Sequence, residues 1–282
     1  SANATAHEPS SAGRRWHRLP TGKELANLLA DESQFPSTDV YDRNDLAKVA
    51  SYYADVSGRK TLRSRVHDLL DFRTDPGPIH RFLASVQQPM LIVTTNYDCL
   101  MEQALDEAQK PYDLVVYPAD KPSLANAVLW FSHGDKEAKP VSARELEIDL
   151  EKTTVVFKMH GTWSSESEGS DHYVITEEDY VEFLSRMSGL AAIPSLFYRH
   201  FMSRAFLFLG YGLRDWNLRL LLKNLDKRLA VPGASEPGED ESVCSWAIQK
   251  SPSALERHLW GGRNVKIFDM PLDTFVDGLE RA

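Results

Sequence analysis

Cysteine is scarce in this sequence: Cys99 and Cys244 are the only two among 282 residues. Two thiols cannot build a disulfide framework, and they cannot supply the ligands of a four-cysteine zinc site. Such low usage is typical of proteins that fold in a reducing compartment, so we expect a cytoplasmic location. No spacing of His, Cys, Asp or Glu predicts a metal site, so we expect none.

Long apolar runs and an excess of positive charge are also missing. No apolar run approaches the roughly 18 residues of a membrane-spanning helix, so no membrane association is predicted. Lysine and arginine number 32 against 41 acidic residues, which gives a net charge of −9. An acidic chain is poorly suited to neutralising phosphates, which argues against direct nucleic-acid binding.

Short apolar segments alternate with helical patterns in the second part of the chain. The apolar segments lie at residues 90–94, 114–117, 153–159, 205–209, 244–248 and 265–268. This alternation predicts an α/β fold with a Rossmann-like, doubly wound parallel sheet. Residues 31–86 show helical periodicity and no strand pattern, which predicts a helical insert module beside the sheet. Residues 118–150 are interrupted by prolines, and we expect a long crossing loop there.

A polar cluster follows the apolar segment at 90–94, and a helical pattern begins directly after it. The cluster is Thr95-Asn96-Tyr97-Asp98. Open α/β sheets bind their ligands at such strand-to-helix turns. Asn96 or Asp98 is equally suited to capping the following helix, and the segment alone leaves both interpretations open.

Two further apolar segments end in residues that are capable of chemistry. The segment at 153–159 ends at His160 and Gly161, and the segment at 205–209 runs into a glycine-rich polar stretch. That stretch contains Gly210, Tyr211, Gly212, Asp215 and Asn217. A hydrogen-bonded core histidine, a plain turn and a helix cap are the alternatives. The carboxyl ends of parallel strands share one edge of a sheet, so all three ends are expected to line one crevice.

Taken together, these three stretches resemble the sirtuin superfamily. The matching strings are Thr95-Asn96-Tyr97-Asp98, Lys158-Met159-His160-Gly161 and the stretch that begins at Gly210. The resemblance is closer to the bacterial sirtuin-like domains of antiphage defence systems that degrade NAD+. It covers nearly the whole chain, and it implies a single NAD-binding domain over residues 1–282 with NAD+ as substrate.

The sequence departs from that superfamily in two respects. The family opens with a strand and a turn of the form Gly-Ala-Gly-x-Ser that holds the dinucleotide pyrophosphate, and this turn is missing here. Ser1 and Ala2, followed by residues 19–25, resemble what comes after it, so we expect the first strand and the turn upstream of residue 1. The deacetylase branch carries a four-cysteine zinc ribbon, which two cysteines cannot supply, and this points away from deacylation.

The resemblance implies an NAD+ hydrolase that cleaves the nicotinamide–ribose bond. Its catalytic residues would be Asn96, which orients the ribose or the water, His160, which accepts a proton, and Asp98, which orients the turn or a ribose hydroxyl. We expect Asn96 and His160 to face each other across one cleft. The expected NAD-binding residues are Ser1, Ala2, Thr95, Asn96, Tyr97, Gly161, Gly210, Tyr211, Gly212, Asp215 and Asn217.

Other functions stay open at this point. The chain is also interpretable as an NAD+ or ADP-ribose sensor without turnover, as an NAD-dependent deacylase or ADP-ribosyltransferase, or as a structural subunit of a larger assembly. Release of nicotinamide would separate the hydrolase from the sensor. Defence NADases of the resembling family need an oligomer or a partner to become active. We therefore expect an abortive-infection effector that is held inactive, and either a homo-oligomer or a partner defence protein.

Overall fold

The computed structural model describes residues 19–71, 74–119, 121–163, 172–188, 193–210, 244–262 and 264–281. From residue 91 onward the chain combines helices with two sheets that contain parallel strands, so the predicted α/β class is confirmed. None of the described helices is long and apolar enough to cross a membrane.

Five helices precede the first strand. They are α1 (Gly22–Glu32), α2 (Val40–Arg43), α3 (Leu46–Ser57), α4 (Arg59–Leu70) and α5 (Pro78–Ser85). The helix α1 begins at a capping box, in which the hydroxyl of Thr21 accepts from the backbone N–H of Glu24 and the Glu24 carboxylate accepts from that of Thr21. The apolar faces of α1, α3 and α4 form a core cluster of their own. Among the described residues from 19 to 85 there is no strand, as the helical periodicity predicted.

The larger sheet has five strands. They are β1 (Leu91–Thr94), β2 (Tyr112–Val116), β3 (Ala127–Phe131), β4 (Lys139–Ser142) and β5 (Thr154–Lys158), with α6 (Leu100–Glu107) between β1 and β2. Their order across the sheet is β1-β5-β2-β3-β4. The first three are mutually parallel, and β3 and β4 extend the sheet as antiparallel strands.

The prediction of a crossing loop over residues 118–150 is wrong, because this segment contains β3 and β4. Val128 and Leu129 on β3 are buried in the core. Pro140 lies within β4, which is the outermost strand of the sheet. A proline is tolerated at such an edge because its missing N–H faces no neighbouring strand. Pro140 therefore marks an edge strand and not a loop.

A second sheet of three parallel strands follows a short β-ribbon and two helices. The ribbon strands are β6 (Gly161–Thr162) and β7 (His172–Tyr173), and the helices are α7 (Glu177–Ser188) and α8 (Ser195–Ser203). The sheet comprises β8 (Leu207–Leu209), β9 (Ser245–Gln249) and β10 (Val265–Asp269), in the order β10-β9-β8, with α9 (Ala254–Gly261) and α10 (Leu272–Glu280) in the same part of the chain. Residues 211–243, which connect β8 to β9, lie outside the described residues.

Polar contacts attach the start of α7 to the N-terminal helices. The Arg59 guanidinium donates to the hydroxyl of Thr176 at 3.0 Å and to the carboxylate of Asp179 at 2.8 Å. The hydroxyl of Ser51 on α3 accepts from the backbone N–H of Glu177 at 2.9 Å. Asp179 also accepts from the backbone N–H of Thr176 at 2.9 Å, which caps the helix. These contacts fix α7 relative to the helical module.

The strands β1 and β5 have similar apolar sequences but different burial. Every residue of β5 is buried, because β5 lies between β1 and β2. All four residues of β1 are only partly buried. Among the described strands, β1 pairs with β5 alone and β8 pairs with β9 alone. Each of the two sheets therefore has one apolar strand with an open edge.

Candidate active site

A cavity of about 1110 Å³ lies between the open edges of β1 and β8, and both strands line it along their whole length. The residues that follow the two strands lie at the rim of the cavity, at the carboxyl ends of the strands. They are Thr95, Asn96 and Asp98 after β1, and Gly210 after β8. This is the position at which open parallel sheets bind ligands. The structure thus brings together four of the residues that the sequence predicted.

The turn after β1 is held by hydrogen bonds on both sides of Asn96. The backbone N–H of Met159 donates to the carbonyl of Thr94 at 2.9 Å, and the N–H of Asn96 donates to the Thr94 hydroxyl at 3.1 Å. The Asp98 carboxylate accepts from the backbone N–H of Leu100 at 3.1 Å, so it caps α6 while it also lines the cavity. The position of Asp98 is thus compatible with both interpretations, and its role toward a ligand stays a prediction. The side chain of Asn96 itself is exposed in the cavity rim.

Gly210 continues directly from β8 with a backbone conformation that favours glycine. Its φ is +68°, and a Cβ atom at this position would lie 3.1 Å from Cδ1 of Leu272 on α10. A side chain here would be both strained and crowded. The other predicted dinucleotide-binding residues of this stretch and of the N-terminus lie outside the described residues: Ser1, Ala2, Tyr211, Gly212, Asp215 and Asn217.

Tyr97 lies in the middle of the same turn but points away from the cavity. Its hydroxyl donates to the carbonyl of Val174 at 2.7 Å, and its ring packs edge-on against Tyr173 at 5.0 Å between centroids. It belongs to the core cluster of the N-terminal helices, and burial raises the pKa of its hydroxyl well above the usual value. Tyr97 therefore anchors the turn to the helical module. It is not one of the described residues that line the cavity.

His160 does not face Asn96, in contrast to what the sequence led us to expect. Successive side chains of an extended segment point to opposite faces, and it is Met159 that lines the cavity. The imidazole of His160 is only 3% exposed and lies against the rings of Tyr180 and Phe183 on α7, at 5.4 and 5.3 Å. Gly161 then turns the chain with a φ of +88°. Neither His160 nor Gly161 is among the described residues that line the cavity.

The His160 imidazole is enclosed in an apolar environment. Its Nε2 atom is buried and has no hydrogen-bond partner in the described part of the chain. Burial lowers the pKa of His160 to about 3. The ring is therefore neutral at physiological pH, because burial among apolar groups disfavours the charged form of the imidazole.

Three polar residues near the cavity were missed by the sequence reasoning. His80 on α5 lines the cavity, and its Nδ1 accepts from the backbone N–H of Gly77 at 3.0 Å. Burial lowers the pKa of His80, although the carboxylate of Asp98 acts in the opposite direction. Glu102 on α6 and Lys158 at the end of β5 form a buried ion pair beside the turn, at 2.8 Å. Only Lys158 had a signal in the sequence, as a charged residue at the end of an apolar strand.

Metal ligands are not grouped in the described ranges: no three His, Cys, Asp or Glu side chains there are placed to hold an ion.

Comparison with known proteins connects this geometry to a family. A family profile described as a SIR2-like domain matches residues 90–268. The chain is 29% identical over 205 residues to the NAD(+) hydrolase ThsA of Acinetobacter baumannii, covering 72% of this chain and 35% of that protein. It is 28% identical over 203 residues to the NAD(+) hydrolase ThsA of Bacillus cereus, covering 71% and 36%. It is 23% identical over 221 residues to the Defense-associated sirtuin 2 of Bacillus subtilis, covering 78% and 18%. The matched part of this chain therefore spans about a third or less of these relatives.

The enclosure of His160 predicts a specific pH dependence of stability. An unfolded chain protonates this imidazole near pH ~6.5, whereas the folded chain does so only near about 3, so the unfolded state binds more protons in between and stability falls as the pH falls. Between pH 7 and pH 5, His160 alone should remove about 2 kcal/mol. The variant His160→Phe fills the same space without titrating, and urea unfolding at both pH values should show a correspondingly smaller loss.

The control for this experiment is His133→Gln, at an exposed histidine outside the cavity wall. It should keep the pH dependence of the parent. Equal losses of stability in His160→Phe and the parent would mean that His160 is protonated as easily in the folded state as in the unfolded state.

Proposed function

Because this chain belongs to the SIR2-like family, we propose that it hydrolyses NAD+ at the nicotinamide–ribose bond as the effector of a bacterial antiphage system. The single observation that carries the proposal is the Asn96 amide, which is exposed at the rim of a large cavity at the carboxyl end of β1. The names of the relatives, NAD(+) hydrolase and defence-associated sirtuin, support the substrate and the setting. Water supplies the hydroxyl that bonds to the ribose carbon, and nicotinamide leaves with the bonding electron pair.

In this mechanism the protein has to orient the reactants more than it has to protonate the leaving group. Nicotinamide departs as a neutral molecule from a cationic pyridinium, so no general acid is needed. The transition state resembles an oxocarbenium ion, which a fixed amide can approach without adding charge. Asn96 would hold the ribose or the attacking water, and the Asp98 carboxylate, which also lines the cavity, would stabilise the developing positive charge.

His160 has the role of proton acceptor in this proposal, and its surroundings set a condition on that role. A neutral imidazole is able to accept a proton, but the ring is enclosed between Tyr180 and Phe183 and has no access to the cavity. The proposed role therefore requires the ring to leave this enclosure. A form of the protein that is inactive until a partner or an oligomer changes the packing of α7 meets this condition.

The adenosine half of NAD+ would lie near β8. Gly210 contributes a backbone without a side chain at the cavity rim, and Tyr211, Gly212, Asp215 and Asn217 would complete this part of the site. Thr95 lies on the opposite wall, after β1. Ser1 and Ala2 would follow the turn that holds the pyrophosphate.

The enclosure of His160 also favours a second candidate function. A protein that binds NAD+ or an ADP-ribose derivative without turnover needs the cavity but no accessible base, which is the arrangement of the described residues. Such a sensor would bind NAD+ with the same Asn96. It would release no nicotinamide, whether or not a partner protein is bound and whatever its oligomeric state.

We further propose that a strand from the polypeptide preceding residue 1 occupies the cavity between β1 and β8. The carbonyls of Met90 and Thr94 accept hydrogen bonds from N–H groups of β5 and of the residue that follows it, so alternate residues of β1 face β5. The backbone groups of Leu91 and Val93 therefore point to the other side, into the cavity. By the same alternation Leu207 and Leu209 of β8 point there too, since Phe206 and Gly210 bond to β9. Apolar strands with open edges are normally paired or covered.

The identity of that strand follows from topology. Parallel strands need a crossover connection of a dozen or more residues, usually helical, and α1 to α5 supply one in front of β1. The N-terminal helices also contact Tyr97, at the carboxyl end of β1, where a strand that precedes them would leave the sheet. Residues 1–18 contain no apolar run that would form a buried strand, so the strand would come from further upstream.

The first prediction for the proposed reaction concerns Asn96. Asn96→Ala should reduce the rate of nicotinamide release from NAD+ by about 10²-fold or more, because the reactants lose their orientation while the fold keeps its exposed rim. The assay uses the natural full-length protein under conditions in which the parent is active. His160→Ala should reduce the rate by a similar factor, as expected for the loss of a general base.

The matched control is Gln103→Ala, which removes an exposed amide from α6 without touching the cavity. It should keep the activity of the parent. Full activity in Asn96→Ala would remove the assigned role, and tight NAD+ binding by calorimetry without any nicotinamide release would identify the sensor instead.

The proposed strand makes a prediction for backbone hydrogen exchange. Extending residues 1–282 upstream with their natural sequence should slow exchange at Leu91, Val93, Leu207 and Leu209 by roughly tenfold or more, because their N–H groups gain partners. The neighbouring amide of Ile92 faces β5 and should be protected with or without the extension. Unchanged exchange at Leu91 and Leu207 in the extended protein would show that no strand enters between β1 and β8.

A further inference from the structure

Lys158 is an unusual end for a buried strand. The preceding residues of β5, Val155, Val156 and Phe157, are fully buried and apolar, and the Lys158 side chain is 0% exposed as well. An ammonium group in such a position is strongly unfavourable unless each of its protons has an acceptor. The contacts of the Lys158 ammonium therefore show which groups stabilise it and which groups it holds in place.

Three oxygen acceptors surround the Lys158 ammonium, one for each of its three N–H bonds. Its Nζ donates to the backbone carbonyl of Asp98, to that of Tyr97 at 3.2 Å and to Oε1 of Glu102 at 2.8 Å. The first two acceptors belong to the turn that follows β1. Lys158 thus bonds to the carbonyls of the two residues that come directly after Asn96.

The charge of Lys158 is maintained by its neighbours. Burial acts most strongly and lowers the pKa of Lys158, but the attraction of Glu102, with Cys99 and Asp98, outweighs it, so that the pKa is raised above the usual value. The thiol of Cys99 lies 3.9 Å from Nζ, and burial raises its pKa to about 11. Glu102 is therefore the anion that neutralises the ammonium.

Lys158 shares the task of holding the turn around Asn96 with several other contacts. On one side the Asn96 N–H donates to the Thr94 hydroxyl. On the other side the carbonyl of Tyr97 also accepts from the backbone N–H of Trp163 at 2.8 Å, while the Asp98 carbonyl has Lys158 as its described partner. The direction of the Asn96 side chain follows from its backbone, and the Lys158 ammonium helps to fix that backbone on its carboxyl side. The hydroxyl of Tyr97 and the N–H of Trp163 hold the same side.

We propose that Lys158 is a positioning residue for NAD+ cleavage: its ammonium, oriented by Glu102, holds the peptide groups of Tyr97 and Asp98 and thereby aims the Asn96 amide into the cavity. This inference rests on the proposed function of Asn96. It gives the Lys158–Glu102 pair a role in catalysis although Lys158 itself does not reach the cavity wall.

The decisive variant removes both charges together. Lys158→Met alone would leave the Glu102 carboxylate buried without its cation, and the protein could fail to fold for that reason. The double variant Lys158→Met/Glu102→Met fills similar space with apolar side chains and should fold. In the natural full-length protein its kcat for nicotinamide release should fall about 10²-fold while KM changes by less than about threefold, because the misplaced amide affects orientation more than binding.

A matched control is the double variant Arg65→Met/Glu32→Met, which removes a partly exposed ion pair from the helical module. It should keep the kcat of the parent. A folded Lys158→Met/Glu102→Met protein with the kcat of the parent would overturn the proposal.

A second variant separates positioning from a merely structural role. Glu102→Gln keeps an acceptor for Nζ but removes the main attraction that opposes burial, so the pKa of Lys158 should fall. Cys99 and Asp98 are the other groups that act on it. The kcat of Glu102→Gln should then decline at high pH with a midpoint below that of the parent. An alkaline limb identical to that of the parent would contradict the proposed role of the ammonium.

The role of Lys158 is also measurable without activity. In Lys158→Met/Glu102→Met the backbone amides of Leu100 and Trp163, which bond to the turn, should exchange with solvent roughly tenfold faster than in the parent. If the parent releases no nicotinamide but these amides respond, the proposed function is wrong and the positioning of the turn stands. If they do not respond, Lys158 does not hold the turn.

Discussion

The parallel pairing of β1 with β5 is the constraint on which the candidate site depends. Its register places Thr94 opposite Lys158, so the turn that carries Asn96 begins directly beside the last residue of β5. The Met159 N–H then bonds to the Thr94 carbonyl and the Lys158 ammonium bonds to the peptide groups beyond it. A slip of one residue would exchange the faces of β1 and carry the polar turn away from its buried cation.

The same pairing explains why the cavity exists. One edge of β1 is satisfied by β5, and the other has no partner among the described strands, although the sequence Leu-Ile-Val-Thr is suited to burial on both sides. Among the described strands β5 has a neighbour on both sides and β1 on one side only, so their different burial follows from pairing and not from composition. The polar residues at the rim and the apolar strand residues along the walls are therefore two different parts of one cavity.

The sequence was sufficient for the class of fold and for one wall of the site, because those follow from local patterns. Apolar strands that end in polar residues predicted the position of Asn96, Asp98 and Gly210 at one rim. The side on which His160 lies could not be predicted, since it depends on the exact strand end and on the turn at Gly161. The antiparallel pair β3 and β4 was hidden by the prolines of this segment, of which Pro140 lies in the edge strand β4, where a proline is tolerated.

Lys158 shows the limit of pattern reasoning in another way. A lysine at the end of an apolar strand has the same appearance in the sequence whether it reaches solvent or is buried. What decides between these is a carboxylate 56 positions earlier, Glu102, together with two peptide carbonyls that become acceptors only when the turn has folded. Long-range polar networks of this kind leave no periodic signal in a single sequence.

The enclosure of His160 connects the site to the helical module. The rings of Tyr180 and Phe183 that cover the imidazole belong to α7, and the start of α7 is bonded to Arg59 and Ser51 of that module. The Asp179 carboxylate serves at the same time as helix cap and as partner of Arg59. Opening the His160 enclosure by displacing α7 would therefore break these bonds or bend the helix beyond them. The exposure of the imidazole is consequently coupled to the contact between α7 and the N-terminal helices. The local sequence around Asn96 and His160 does not reveal this contact.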